Sequence, residues 1–401
     1  MVATPSLACE PGLYRYSRDQ SYAAITKPAA ALRYTLDDGR RGEVGAADAV
    51  LNCQADRITS TPQGGTWDRV PLTLTATRFE SHGQALSGVL VEPPGLDGPA
   101  PLVVLVHGSE RTSPMTGAYP YLLASFGLRV FAYDKRGTGG SEGEYTQNFE
   151  LLADDAAAAF AQARKLAAGR ITRAGFYGGS QGGWVAPLAS VRAKADFVAV
   201  GFGLMISPAE EDREQVLTEL KEHGASARDL EEARVVTDAT ARLVGSHFEQ
   251  GYRELAQAKK RFEKRAWFSR IRGEYTGEIL ATDEAELRRV GRALFDNLEL
   301  IWNYDSVAVL RQLKSPLLWV IAEEDREAPP AITLSRLTAL RDQGAAIDVF
   351  SFPNTDHGMV EFTQGSDGGR TYGRITDGYF RLLADWIRGG GSSDYGRGRR
   401  R

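Results

Sequence analysis

The strongest chemical signal lies in Phe176-Tyr177-Gly178-Gly179-Ser180-Gln181-Gly182-Gly183-Trp184, where Gly178, Ser180 and Gly182 form the pattern G-x-S-x-G. Glycines so close to a serine relieve the steric conflict of a sharp turn, and such a turn projects the hydroxyl outward. A serine hydroxyl is a weak nucleophile and needs a base. The chain offers five histidines: His82, His107, His223, His247 and His357. His357 is the best placed. It follows the apolar run Ile347–Phe352 in F-P-N-T-D-H-G-M, so it falls in a loop past the carboxyl end of a strand. His107 precedes the serine and reads as structural, His223 and His247 fall in a charged stretch and read as surface residues, and His82 sits in a turn. The base in turn needs an acid that holds its tautomer and stabilises the imidazolium. Asp325, after the run Leu317–Ala322, fits best, with Glu323, Glu324, Glu327, Asp348 and Asp356 as rivals.

Attack of a serine on a carbonyl creates an oxyanion, which needs donors already in place. One is expected to be the backbone N–H of Gln181, the residue after the nucleophile. The other is expected from His107-Gly108-Ser109-Glu110, with Ser109 the first choice and Glu110 the next. No metal or organic cofactor is implied by this set.

These residues need elements to hold them. Leu102-Val103-Val104-Leu105-Val106 is a continuous apolar run, which suits a strand buried on both faces of a parallel sheet. Arg129–Tyr133, Ala174–Tyr177, Phe197–Gly201, Leu317–Ala322 and Ile347–Phe352 repeat the theme. Amphipathic or Ala-rich stretches such as Leu151–Ala168 and Val185–Ala195 separate several of them. Strands alternating with helices imply an α/β sheet covered on both faces. Before it, Val70, Leu72, Leu74 and Ala76 alternate with polar residues as on a half-buried strand, and Ala85–Val91 reads as a second strand. A last helix is expected over Thr371–Arg388.

Two regions depart from that alternation. Residues 1–65 read as a small β module, with strands at Leu13–Tyr16, Tyr22–Thr26 and Leu32–Leu36 and a connector at Thr61-Pro62-Gln63-Gly64-Gly65. Residues 205–304 are charged and strand-poor, and read as a helical cap insertion between two parts of the core, 66–204 and 305–388. Four helices are expected there: Glu210–His223, Ala227–Val244, Glu249–Trp267 and Asp283–Trp302. Ser207-Pro208-Ala209-Glu210 has the form of a capped helix start. Its apolar residues Leu204, Met205, Phe262, Trp267, Phe268 and Trp302 either reach a substrate or pack within the cap. Residues 389–401, rich in Gly, Ser and Arg, are expected to be a disordered tail.

Composition narrows the partners. The chain has 401 residues, 25% of them charged, and 48 Lys+Arg against 52 Asp+Glu give a net charge of −4. Nothing in that balance points to nucleic acid. No apolar run of membrane-spanning length occurs. The start, M-V-A-T-P-S-L-A-C, lacks the basic and apolar regions of a signal peptide. Cys9 and Cys53 either close one loop or are unrelated thiols, the second being favoured; their even number and the β module lean slightly toward an extracytoplasmic home, with the cytoplasm as the alternative.

Taken together, the chain resembles a serine α/β-hydrolase, near the dienelactone-hydrolase-like and prolyl-oligopeptidase-like (S9) branch. The matching residues are V-L-V-H-G-S up to Ser109, Y-D-K-R-G-T-G-G-S from Tyr133 to Ser141, Y-G-G-S-Q-G-G around Ser180, A-E-E-D ending at Asp325 and D-H-G around His357. The order Ser180, Asp325, His357 is that of the family. The resemblance implies the α/β-hydrolase fold, a mostly parallel twisted sheet with helices on both faces. It also makes Asp134 and Arg136 structural. Gly137-Thr138-Gly139 is not a dinucleotide fingerprint, since Glu142 stands where a third glycine would fall. Ala322 departs from the usual Gly before E-E-D. The expected activity is cleavage of a small-molecule carboxylic ester by a Ser-His-Asp triad. An S9-like peptidase or amidase is the alternative, against which stand the lack of room for a β-propeller gate and of an evident anchor for a chain end. A silent scaffold used for binding is the third reading. Substrate-binding residues and oligomeric state are left unassigned.

Overall fold

The computed structural model describes residues 9–54, 57–60, 64–366, 368–391 and 395–401. Its centre is a nine-stranded sheet. The apolar runs supply six parallel strands, in the spatial order Arg129–Tyr133, Ala100–Val106, Ile171–Gly179, Phe197–Gly201, Leu317–Ala322 and Ile347–Phe352. Their central residues are apolar and buried because both faces of the sheet are covered. On one side lie the helices Phe149–Leu166, Gly182–Ala193, Ser306–Gln312 and Pro330–Asp342; on the other lie Ala118–Ser125 and Tyr379–Ile387. Antiparallel strands Thr73–Ser81 and Gln84–Glu92 extend one edge.

The strand order reverses at Ala100–Val106. The chain leaves it for Arg129–Tyr133 on one side and later returns to Ile171–Gly179 on the other. In such sheets the crevice at the carboxyl ends beside the reversal receives ligands. Gly108 and Ser180 leave adjacent strands at that point.

The N-terminal module is a seven-stranded antiparallel sheet around Tyr14, Ile25, Leu36, Leu51 and Trp67. Cys9 and Cys53 form a disulfide within it, with Cα atoms 6.0 Å apart, which corrects the reading of two unrelated thiols. The first eight residues of the chain, on which the signal-peptide reading rests, lie outside the described residues. So do residues 61–63 of the expected connector. Gly64 and Gly65 lead directly into Thr66–Arg69, which pairs with Gly12–Tyr16. The module therefore runs past residue 65, and the Gly pair belongs to a hairpin inside it.

Other expectations shift for identifiable reasons. Leu74 is 54% exposed and Phe79 is buried, so Thr73–Ser81 shows the opposite face from the one its Leu and Ala suggest; as an edge strand it has one covered face. Residues 371–375 form a strand, Arg370–Ile375, pairing with Val360–Gln364. β-branched and aromatic residues favour that hairpin, and the helix begins only at Tyr379, after Gly378 at φ +83°. Within the tail, Tyr395 is 2% exposed and Arg399–Arg400 pair with Phe350 and Ser351, so these residues are ordered against the sheet edge; 392–394 lie outside the described residues.

The stretch after the strand Phe197–Gly201 forms the helices Pro208–Glu222, Ala227–Gly245, Tyr252–Phe262, Thr276–Ala281 and Glu284–Phe295 around a core of its own. The third and last are shorter than expected, and Thr276–Ala281 is additional. Ser207 caps the first helix through the reciprocal bonds with Glu210. Glu210 also meets Arg336 of the helix Pro330–Asp342, which ties this segment to the main core.

Candidate active site

Ser180 sits between the strand Ile171–Gly179 and the helix Gly182–Ala193, with φ +51°. Such a conformation is strained for a residue with a Cβ, and the surrounding turn holds it. The turn closes so tightly that a Cβ on Gly178 would lie 2.2 Å from the Gly182 carbonyl oxygen, and one on Gly182 would lie 2.4 Å from that of Val106. The steric reason for G-x-S-x-G is thus a backbone-to-backbone contact. Ser180 N–H donates to Gly201 O at 3.1 Å, and its carbonyl accepts from Gly183 N–H at 2.7 Å.

His357 follows the short strand Thr355–Asp356. Its Nε2 lies 3.1 Å from Ser180 Oγ, and its Nδ1 lies 3.0 Å from Asp325 Oδ2 and 3.2 Å from Oδ1. The structure thus brings together Ser180, His357 and Asp325 from three loops separated by 177 and 32 residues. Asp325 Oδ1 also accepts from Ala328 N–H at 2.7 Å. Phe202 packs edge-on against the imidazole, ring centres 5.1 Å apart. Burial pushes the Asp325 carboxyl up, opposed by its hydrogen bond with His357. Burial alone would lower the imidazole pKa, but the hydrogen bond and charge of Asp325, with the charges of Glu327 and Asp356, raise it above the ordinary value.

Four of the five rival acids have other partners. Asp356 accepts from the backbone N–H groups of Arg326 and His357 and from Tyr372 Oη, and it pairs with Arg370. Burial would raise its carboxyl; these hydrogen bonds hold it below the usual range. Glu323 meets Ser351 and Arg401, Glu324 accepts from Thr355 N–H, and Asp348 from Trp386 Nε1. Glu327 Oε1 lies 3.4 Å from His357 Nε2, on the serine side of the ring.

Gln181 and Ser109 line the same cleft as Ser180. A Cβ on Gly108 would lie 3.3 Å from Ser180 Cβ, so the loop His107–Glu110 runs directly against the serine. Two side chains that sequence reasoning did not single out fasten this loop. Lys135 Nζ donates to Gly108 O at 2.6 Å, and Tyr145 Oη donates to Ser109 O. Burial pushes the Lys135 ammonium down to about 8, against the charge of Glu110. Lys135 belongs to the Y-D-K-R-G stretch, whose other members brace the wall. Asp134 accepts from Gly140 N–H, and Arg136 makes a two-pronged pair with buried Asp155.

His107 follows the strand Ala100–Val106, packs beside Tyr133 and lines the apolar pocket at Ser180, with Nδ1 3.4 Å from Glu110. His82 pairs with Asp154, His223 sits near Glu219 O, and His247 pairs with Asp296, all away from Ser180.

Two spaces meet at Ser180. One is an apolar pocket of about 230 Å³ walled by Val106, Pro114, Tyr119, Tyr177 and Phe202. The other is a cleft of about 330 Å³ between the sheet and the helical segment, lined by Glu211, Glu274, Tyr275, Trp302 and Glu327 as well as Gln181. Of the six apolar residues expected to reach a substrate or pack within the cap, Trp302 lines this cleft. Phe262 and Trp267 belong to the segment's own core with Phe268 against it, and Leu204 and Met205 to the main core. Glu211 and Glu274 escaped the sequence reading because 63 residues separate them from each other; in sequence Glu211 is only part of a helix start.

The profile of the Alpha/beta hydrolase family matches residues 103–367. That span covers well over half of the chain and includes Ser180, Asp325 and His357, and the chain belongs to this family. No curated protein matches it. Among solved structures, it is similar to an esterase of Pyrococcus furiosus at 13% identity, over 71% of this chain and 83% of that one, with TM-score 0.44. It is also similar to Est1E of Butyrivibrio proteoclasticus, solved with ferulic acid bound, at 15% identity over 78% and 97% of the two chains, with TM-score 0.44. A third likeness is to the acylaminoacyl peptidase of Pyrococcus horikoshii, at 15% identity over 97% of this chain and 58% of that one, with TM-score 0.45. Among the described residues no helix is long and apolar enough to cross a membrane.

Proposed function

We propose that the protein is a serine hydrolase that cleaves a carboxylic ester through an acyl-enzyme. The observation that carries this reading is the hydrogen-bonded chain from Ser180 Oγ through His357 to Asp325. Ser180 Oγ attacks the ester carbonyl as His357 Nε2 takes its proton, and Asp325 steadies the imidazolium. The carbonyl oxygen becomes an oxyanion held by the backbone N–H groups of Gln181 and Ser109 and by the amino end of the helix Gly182–Ala193. Collapse of the tetrahedral adduct breaks the bond to the alcohol oxygen, which receives the proton from His357. Water then repeats the sequence on the acyl-serine, releasing the acid and restoring the Ser180 hydroxyl. The helical segment acts as a cap that screens the cleft from bulk water and so strengthens charge stabilisation within it.

The test is turnover of a p-nitrophenyl ester series by wild type and Ser180→Ala. Loss of about 10⁶-fold in kcat is the expected outcome, as for removal of a serine nucleophile in related chemistry. Full turnover by Ser180→Ala would refute the assignment.

A further inference from the structure

The apolar pocket at Ser180 has walls that cleavage of an ester does not by itself require. Val106, Pro114, Tyr119, Tyr177 and Phe202 form them. Tyr119 stacks on Tyr177 with ring centres 5.5 Å apart and meets Phe380 edge-on at 5.1 Å, so the wall is braced from the core. The Tyr177 hydroxyl pairs with that of Tyr379 at 2.7 Å inside the core. Its polar tip is thereby satisfied within the protein, and ring carbon is left to face the pocket.

Phe202 closes the pocket on the side of His357, whose ring it meets edge-on. A Cβ on Gly179 would lie 2.8 Å from Phe202 Cζ. The G-x-S-x-G pattern leaves position 179 open to any residue, and here the glycine makes room for this wall. The polar residues at the pocket, His107, Glu110, Thr112 and Ser113, all come from the one loop after Ala100–Val106, and His107 and Glu110 face each other at 3.4 Å.

Volume and direction define the occupant. The pocket holds about 230 Å³. An apolar cavity of about 150 Å³ accepts a benzene ring, so there is room here for one ring on a short arm and too little for a fused pair. The direction follows from His357. Its Nε2 returns the proton to the alcohol oxygen, and Glu327, 3.4 Å from Nε2, lines the cleft and not the pocket. The alcohol therefore lies toward the cleft, and the acyl group toward Tyr119 and Phe202.

We propose that this pocket is the acyl subsite and selects esters of a compact, uncharged acid: a single aromatic ring on a short arm, or an unbranched chain of about six carbons. The inference rests on the serine-hydrolase reading. Aromatic walls favour a ring over a chain of like size. A carboxylate on the acyl group would lose its water against ring carbon, beside Glu110.

The experiment has two arms. In the first, a pH-stat follows wild-type hydrolysis of ethyl esters from acetate to decanoate, with ethyl phenylacetate, ethyl naphthylacetate and monoethyl succinate. From acetate to hexanoate kcat/KM should rise by up to about fourfold per methylene, the gain from burying one. Decanoate should fall about 10-fold below hexanoate, and naphthylacetate about 10-fold below phenylacetate, as for an overfilled site. Phenylacetate should exceed hexanoate by about 2–10-fold, and the succinate should fall below butyrate. Tyr119→Ala should move the optimum to longer chains and to the naphthyl ester. A flat profile, a rise that continues through decanoate, or a size optimum among alkyl butyrates in place of ethyl alkanoates overturns the proposal. The wild-type profile decides this whether or not the variant folds.

In the second arm, saturation-transfer NMR follows ethyl phenylacetate on Ser180→Ala protein. The ring protons should receive more saturation than the ethoxy protons; the reverse order contradicts the subsite. Ring saturation with no turnover of any ester by wild type would sink the catalytic reading and keep the pocket. Ester turnover with no acyl preference would sink the pocket alone. Neither turnover nor ring saturation would sink both.

Discussion

The Lys135 ammonium donates to the Gly108 carbonyl at 2.6 Å, and so ties the wall of the crevice to the loop that runs against Ser180. Lys135 is only 3% exposed. In the proposed mechanism it is a positioning residue, acting on the oxyanion through the Ser109 backbone. Lys135→Met keeps the length of the side chain and removes the tether. The expected result is a fall in kcat of about 10–1000-fold with KM changed far less, up to the loss of one oxyanion donor. A matching fall in thermal stability without that split would mean a structural role only.

Two neighbouring carboxylates have separable jobs. Asp325 meets His357 Nδ1, whereas Asp356 organises the loop through Arg370, Tyr372 and two backbone N–H groups. Asp325→Asn is expected to lower kcat by about 10⁴-fold with the fold intact, as the histidine adopts the wrong tautomer. Asp356→Asn should instead lower the melting temperature. Steady-state kinetics paired with melting curves for both variants checks the assignment.

The pH profile follows from the imidazole. In the proposed mechanism His357 must be neutral to accept the serine proton, and its neighbours raise its pKa above the ordinary 6.5. Activity is expected to be present at higher pH and to fall away as pH drops through that raised value. Glu327 contributes to the elevation. Glu327→Gln removes a nearby negative charge, destabilises the imidazolium and moves the acid limb of kcat/KM to lower pH. An unmoved or alkaline-shifted limb would contradict the geometry.

The nucleophile turn tolerates no added carbon at Gly178. An alanine Cβ there would meet the Gly182 carbonyl oxygen at 2.2 Å, a backbone atom that cannot swing away. Gly178→Ala should destabilise the protein by about 1–3 kcal/mol and abolish most turnover. Denaturant titration measures the first and ester hydrolysis the second.

The Cys9–Cys53 disulfide, spanning 44 residues, should stabilise the N-terminal module by about 2–4 kcal/mol by restricting its unfolded chain. Thiol titration of the native protein should find no free cysteine. Adding reductant should lower the melting transition of the module while ester turnover at low temperature survives.

What the sequence makes legible is what local sterics and order along the chain determine. Gly178 and Gly182 announce a backbone contact, so the serine turn is readable from five residues. His357 is readable because a loop after a buried strand has one place to go in a parallel sheet. Lys135 is not readable: its partner, Gly108, lies 27 residues away and only the pairing of two strands brings them together. The same holds for Glu211, Glu274 and Tyr275, which a fold of helices places in one cleft. The edge strand misleads because Leu74 and Ala76 show an apolar alternation on its exposed face, while Phe79 sets the buried one. The last helix misleads because Thr371, Tyr372 and Gly373 can continue a helical period, although a hairpin with Val360–Gln364 satisfies them better.

The most direct measurement is intact-mass labelling with a fluorophosphonate, on wild type and Ser180→Ala in parallel. The account predicts a single adduct on wild type, mapping to Ser180, formed more slowly as pH falls through the His357 titration, and no adduct on the variant. A well-folded wild type that stays unlabelled, or a variant that labels as fast, would contradict it.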